Sequence, residues 1–247
     1  MAINETGHYK NITALEKMII KVIGLGPTYN PSKAVLKLAS LQAMLTNAKA
    51  DHAAVSVSTV PFNNSVNDRI IIFQPYKPYS TQILAAMKTS SDANPQKIKD
   101  LVTINRKIQG SRAPKKSSTQ IDPNAPAPDT ISSSQQSYEM KYDHFTKYYD
   151  VVASETTYLP NETELKLPAM LAFKNSLQVA NSNVASTYET VNLARIKRDK
   201  TLYNDKTGVY AIQELVKEYV KGLFKANSIQ YKQMAAIKFN KPKKLFI

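Results

Sequence analysis

The chain contains no cysteine and no tryptophan, and only six of its 247 residues are glycine. The absence of cysteine excludes disulfides, thiolate metal sites and cysteine nucleophiles. So few glycines leave little material for the glycine-rich loops that hold phosphates in nucleotide-binding folds. Gly24 and Gly26 come close together, but Pro27 follows them, which is typical of a helix end.

Side chains suited to acid–base or metal chemistry are also sparse. The three histidines are His8, His52 and His144, and none stands in a metal-ligand spacing such as H-E-x-x-H. Glu162 and Glu164 lie where a helix is expected to begin, so they are interpreted as favourable charges in its first turn. We therefore expect no catalytic residues, no metal site and no cofactor, which favours a non-enzymatic protein.

Long apolar runs are missing as well. Charged residues interrupt the hydrophobic stretch near the N-terminus, and no segment approaches the ~20 apolar residues of a transmembrane helix. The same stretch lacks the basic and apolar regions of a secretory signal peptide. We expect a cytoplasmic location, with a virion or a non-classical export route as alternatives.

A segment rich in proline and serine separates two longer stretches of the chain. Residues 111–135 hold four of the 13 prolines and almost no large apolar side chains. Such a segment buries too little surface to offset its loss of conformational entropy, so we predict an exposed linker or loop. The predicted domains are a first helical repeat at 1–110, the linker, and a second helical repeat at 136–247.

The two stretches that flank the linker resemble each other. A shift of 129 residues aligns Thr28–Tyr29 with Thr157–Tyr158, Leu36–Leu38 with Leu165–Leu167, and Arg69 with Arg198. A period of this length predicts a duplicated domain. The same shift places Asn181 at the position of His52, so His52 is interpreted as a tolerated polar position in the core.

Apolar residues recur at helical spacing in both halves. From Leu38 to Val66, and again from Leu167 to Val191, mostly apolar or small residues follow one another at three and four residues, with polar interruptions such as His52, Lys174 and Asn181. Sustained spacing of this kind predicts long helices that pack at a shallow angle. The first long helix is expected over about 32–70, with a kink or break near Pro61.

Shorter helices are expected around these two long ones. They are predicted at about 12–23, 78–91, 95–108, 208–225 and 228–238. Thr13 and Glu16 have the spacing of a capping box for the first of them. The predicted fold class is therefore all-α: an elongated helical bundle of two similar halves related by a pseudo-two-fold axis, with long antiparallel helices.

Several short motifs resemble those of a group of helical proteins found in Bacteroidota. The motifs are Arg106–Gly110 with Arg112, Ile131–Gln135, Thr201–Tyr203 with Thr207–Gly208, and Ser228–Gln233. The resemblance covers nearly the whole chain and implies a duplicated helical fold. It implies no chemistry, because no function is attached to that group.

The net charge of +14 is the main sign of a binding partner. It is spread over both halves, and such a field attracts nucleic acid, anionic lipid or acidic proteins. Two clusters of basic residues are candidates for binding an anion or nucleic acid: Arg106, Lys107, Arg112, Lys115 and Lys116, and then Arg195, Lys197, Arg198 and Lys200. On a helix Arg195 and Arg198 share a face, where both guanidinium groups would contact one phosphate. The alternative interpretation is a solvated basic surface.

These features favour two functions. The first is a non-enzymatic structural or interaction protein that self-associates through the outer faces of its long helices, as a homo-oligomer or a larger assembly. The second is a nucleic-acid-binding protein that uses its distributed basic charge. Membrane-surface activity is the weakest alternative, because no helical hairpin is apolar enough.

Overall fold

A computed structural model of the chain describes residues 6–111 and 135–241. Within these residues the chain forms helices and loops and no strand, which confirms the predicted all-α class. The α-helices are α1 (Thr6–Gly24), α2 (Leu38–Phe73), α3 (Tyr76–Thr89), α4 (Pro95–Gln109), α5 (Tyr138–Ala153), α6 (Leu167–Tyr203), α7 (Val209–Phe224) and α8 (Ile229–Ala235). All but the two ends of the predicted linker at 111–135 lies outside the described residues.

The helices form two compact units. Unit 1 comprises Met1–Asn63 and Ser186–Ile247, and unit 2 comprises Asn64–Ala185. The division falls inside α2 and α6, so each of the predicted repeats, 1–110 and 136–247, contributes helices to both units. The repeats of the sequence and the compact units of the structure are therefore different divisions of the chain.

Helix α1 begins earlier than the apolar pattern predicts. It starts at Thr6, so Thr13 lies inside it and donates a hydrogen bond from Oγ1 to the carbonyl of Lys10 at 2.9 Å. The capping box predicted from Thr13 and Glu16 is therefore wrong. The helix ends at Gly24 as expected, and Gly26 follows with a φ of 56°, a backbone conformation that favours glycine.

The long helices α2 and α6 are continuous over 36 and 37 residues. Pro61 lies inside α2, so the kink or break expected there does not end the helix. Proline removes one backbone hydrogen bond from a helix. Val55 and Ser65, on either side of Pro61 in the helix, are both buried.

In unit 1 the facing segments of α2 and α6 run antiparallel, as predicted. Asp51 Oδ1 lies 3.0 Å from Lys197 Nζ, and Asp51 Oδ2 accepts a hydrogen bond from Thr201 Oγ1 at 2.6 Å. Further along α2, the ring of Phe62 lies 5.5 Å from the ring of Tyr188. Later residues of α2 thus meet earlier residues of α6.

Each unit has its own hydrophobic core. In unit 1 the fully buried side chains come from α1, α2, α6, α7 and α8, among them Ile12, Leu15, Leu41, Leu202 and Val216. In unit 2 they come from α3, α4, α5 and α6, among them Ile83, Leu101, Phe145, Tyr148 and Leu177. Burying one such side chain contributes about 1.5–3 kcal/mol, so these residues are the main source of stability in each unit.

The same turn precedes both long helices. Tyr29 Oη donates a hydrogen bond to the carbonyl of Leu36 at 2.8 Å, and Tyr158 Oη donates one to the carbonyl of Leu165 at 2.8 Å. A short 3-10 helix forms part of each turn. The predicted shift of 129 residues places these two pairs on each other, which supports the duplication, although the duplication itself stays a prediction.

Glu155 joins the loop after α5 to the start of α4 in unit 2. Its buried carboxylate accepts hydrogen bonds from the hydroxyl and backbone N–H of Thr157 at 2.8 and 3.3 Å, and from the backbone N–H of Asn94 at 3.2 Å. Lys97 Nζ lies 3.7 Å away. These hydrogen bonds hold the pKa of Glu155 below its ordinary value of 4.5, and the bond from the Thr157 hydroxyl has the largest effect.

We expect the substitution Glu155→Gln to destabilise the protein near neutral pH but not in acid. Because the folded-state pKa is lowered, ionised Glu155 contributes stability above the unfolded-state pKa, and the contribution is lost as the pH falls through the folded-state pKa. The urea midpoint, followed by circular dichroism, should fall at about pH 7 and approach that of the unmodified protein at about pH 3. Glu162→Gln, at an exposed site, is the control, and an equal loss at both pH values would contradict the assignment.

Candidate functional site

The structure divides the predicted anion-binding residues between the two units. Two of them lie in the last turn of α4, in unit 2: Arg106 and Lys107. Four lie on α6, in unit 1: Arg195, Lys197, Arg198 and Lys200. Three lie outside the described residues: Arg112, Lys115 and Lys116.

Arg106 and Lys107 are accounted for by the helix on which they lie. Lys107 is exposed, while Arg106 is half-buried and its Nη2 lies 3.4 Å from the hydroxyl of Thr103. Positive charges in the last turn of a helix interact favourably with the helix dipole. Their position explains their charge without a bound anion.

Arg198 is not a surface residue, so its predicted role in gripping an external phosphate is wrong. Its side chain is fully buried, and Nε and Nη2 lie 2.9 and 2.8 Å from Oδ1 of the buried Asp199. A buried guanidinium group needs such a counter-charge, because leaving water costs each ion several kcal/mol. The side chains of Arg198 and Arg195 therefore lie in different environments, although their spacing would place them on one face of a helix.

Other polar side chains are buried beside this ion pair. His8 Nδ1 and Tyr203 Oη are hydrogen-bonded at 2.9 Å, and Asn11 Nδ2 donates to Tyr203 Oη at 3.0 Å. His8 Nδ1 also lies 3.8 Å from Asp199 Oδ1. We refer to these five residues as the buried polar network: His8, Asn11, Arg198, Asp199 and Tyr203.

The buried polar network is suited to holding the fold and not to reacting with a substrate. Each of its five residues is at most 3% exposed, so a substrate has no path to the imidazole or the carboxylate. The hydrogen bonds and the ion pair within it offset part of the cost of burying these groups. The sequence gives no local signal for it, because His8 and Tyr203 lie 195 residues apart.

The remaining basic residues of α6 differ in their surroundings. Lys197 is 74% exposed in its side chain and faces the buried carboxylate of Asp51, which balances its charge. Lys200 is exposed to solvent. Arg195 is half-buried and lines an open groove in unit 1. Arg195 is therefore the predicted residue that the structure places in a concave site.

That groove, which we call the Tyr9 groove, has a volume of about 670 Å³. It lies between α1, α2 and α6, with lining residues Tyr9, Lys10, His52, Val55, Ser56, Thr59, Val60 and Arg195. The rings of Tyr9 and His52 lie 5.5 Å apart and are tilted by 31°. Arg195 and His52 were each considered in the sequence analysis, but Tyr9 and Lys10 were not. Their place in the groove depends on how α1 packs on α2, which the sequence does not show.

The described residues contain no group of three or more His, Asp or Glu side chains that could hold a metal ion. In the same ranges of the chain, no helix is both long and apolar enough to cross a bilayer. No known protein family matches the chain, and no curated protein or solved structure shows significant similarity to it. The resemblance to helical proteins of Bacteroidota therefore stays a prediction.

We expect Asp199→Asn to destabilise the protein strongly. The substitution leaves the guanidinium group of Arg198 buried without its counter-charge, which costs about 3 to 5 kcal/mol in the free energy of unfolding. Glu189→Gln removes the same charge from an exposed position on the same helix and should have little effect. Urea denaturation of both variants measures the difference, and equal midpoints would show that the buried pair does not hold unit 1 together.

Proposed function

We propose that the protein is a non-enzymatic interaction protein that self-associates through the outer faces of α2 and α6. The observation that carries the proposal is the exposure of large apolar side chains on both long helices. In unit 1, Val57 is 72% exposed on α2 and Leu193 is 58% exposed on α6. Val60 and Ile196, each three residues further along, are also exposed.

These side chains occupy the faces opposite the core. Val57 lies nine residues after the fully buried Ala48, and Leu193 lies nine residues before the fully buried Leu202. At about 100° per residue, nine residues correspond to half a turn, so each exposed residue points away from the buried stripe of its own helix. These side chains therefore remain exposed to solvent in unit 1.

A second copy of the chain is the partner that this arrangement favours. Burying one valine or leucine side chain releases about 1.5–3 kcal/mol, and a stable interface buries about 800 Å² on each partner. The same face on two copies is self-complementary in a two-fold dimer, so each exposed residue counts twice. A net charge of +14 opposes the approach of two copies, so the association should strengthen as salt rises.

Nucleic-acid binding is the alternative, and its support is the same net charge. In the described part of the chain, Arg198 is buried and Lys197 is balanced by Asp51, so the α6 cluster offers fewer accessible charges than its sequence suggests. Binding of this kind weakens as salt rises, in contrast to the association of two copies. The opposite salt dependences distinguish the two proposals in one titration.

We expect Val57→Glu and Leu193→Glu to weaken self-association by about tenfold or more each, because a carboxylate would be buried in the interface. Sedimentation velocity over a concentration series measures the change in the dissociation constant. Asn47→Glu places the same charge at an exposed polar position of α2 and should leave association unchanged. An unmodified protein that stays monomeric at about 1 mM would contradict the proposal.

A further inference from the structure

We propose that the Tyr9 groove binds a small organic anion that carries an apolar or aromatic group. This inference goes beyond self-association and does not depend on it, because the groove lies wholly within unit 1 of a single copy. Val60 belongs to both surfaces, so binding is tested below the concentration of self-association. It rests on the size of the groove, the charge and chemistry of its lining, and a comparison with the aligned position in unit 2.

The dimensions of the groove suit a small molecule. Its volume of about 670 Å³ falls within the range of about 300–1,000 Å³ that is usual for ligand sites in proteins. The side chain of Tyr9 at its edge is 57% exposed, so the groove is reached from solvent. Three helices form its walls, which places the lining side chains on regular backbone.

The charge of the lining selects an anion. Lys10 lies on α1 and Arg195 on α6, so two cationic side chains of different helices line the groove. Among the described residues, no acidic side chain lines it. The carboxylate of Asp51, next to His52 in sequence, is engaged by Lys197 and Thr201. A carboxylate or phosphate bound in the groove would therefore meet cationic side chains and no acidic one.

The rest of the lining is suited to an apolar or ring-shaped body. Val55 and Val60 contribute apolar surface, and the hydroxyl of Thr59 is occupied by a hydrogen bond to the carbonyl of Val55 at 2.7 Å. The Tyr9 and His52 rings form a neighbouring aromatic pair. Flat groups pack well on such rings.

The aligned position in unit 2 is occupied by the side chains of the protein itself. The shift of 129 residues places Tyr9 on Tyr138 and His52 on Asn181. There the guanidinium group of Arg69 lies 4.0 Å from the centre of the Tyr138 ring, and Lys141 Nζ lies 4.9 Å from it. Asn181 donates a hydrogen bond to the carbonyl of Tyr138 at 3.1 Å. Arg69 therefore covers the tyrosine, which is only half-exposed.

Sequence differences at the aligned positions accompany this contrast. Lys10 stands where unit 2 has Glu139, whose carboxylate lies 4.0 Å from the guanidinium group of Arg69. The residue aligned with Arg69 is Arg198, and the residue aligned with the exposed Ile70 is Asp199. Asp199 holds the guanidinium group of Arg198 inside the buried polar network, so this arginine does not stack on Tyr9 as Arg69 stacks on Tyr138. In unit 1 the arginine aligned with Arg69 is therefore buried beside Asp199 and does not cover Tyr9.

Two probes with the same ring and opposite charge test the proposal: 1-naphthoate and 1-naphthylmethylammonium. Isothermal titration calorimetry, at a protein concentration below that of self-association, should show tighter binding of the naphthoate. Arg195→Gln should weaken naphthoate binding about tenfold or more, because it removes the charged donor. Lys33→Gln removes the same charge from an exposed position of unit 1 outside the groove and should leave the affinity unchanged.

Tyr9→Ala provides a second variant that does not disturb a buried side chain, and it should also weaken naphthoate binding. Circular dichroism of each variant establishes that it is folded. Equal affinities for the two probes, equal effects of Arg195→Gln and Lys33→Gln, or no naphthoate binding by the unmodified protein would each overturn the proposal. Loss of self-association in Arg195→Gln, without an effect of naphthoate, would assign the groove to a second copy and would also overturn it.

Discussion

The hydrogen bonds that join His8 and Asn11 to Tyr203 are the constraint on which unit 1 depends. They fix the start of α1 against the end of α6, although these residues are separated by most of the chain. Asn11 also donates to the carbonyl of Asn240 and accepts from its backbone N–H at 2.9 Å. Three distant segments thus meet at one buried asparagine, and Tyr9 and Lys10 enter the wall of the groove because their neighbours are held there.

The ion pair of Arg198 and Asp199 determines how the charge of α6 is distributed. From the sequence, four basic residues within six positions predict one cationic surface. In the structure Arg198 is neutralised inside the protein, Lys197 is balanced by Asp51, and Arg195 lines the groove. Net charge and helical spacing therefore overstate the cationic surface of this helix, because they do not show which charges find buried partners.

Most of the helices were predictable from the sequence because their signals are local, but α5 (Tyr138–Ala153) was not predicted. The three- and four-residue spacing of apolar side chains located α2 and α6, and glycine marked the end of α1. The errors arose where tertiary packing decides. Thr13 has the spacing of a cap but lies inside α1. The helix predicted over about 32–70 does continue through Pro61.

The candidate site was only partly predictable for a related reason. Arg195 was singled out by its charge, but Tyr9 and Lys10 belong to a helix that reaches the groove through contacts distant in sequence. The burial of Arg198 did have a signal, since its neighbour Asp199 aligns with the apolar Ile70 of the other half. Predicting a buried ion pair from the change of Ile70 to Asp199 requires knowing that the end of α6 packs inside unit 1.

Hydrogen exchange of the backbone amides of α1, measured by mass spectrometry, tests most directly whether the buried polar network holds unit 1 together. Slow exchange across α1 and the end of α6 is expected in the unmodified protein, with both segments opening together. Tyr203→Phe removes the shared hydroxyl and should accelerate exchange in both segments. Fast exchange of α1 in the unmodified protein, or acceleration confined to α6 in the variant, would contradict the account.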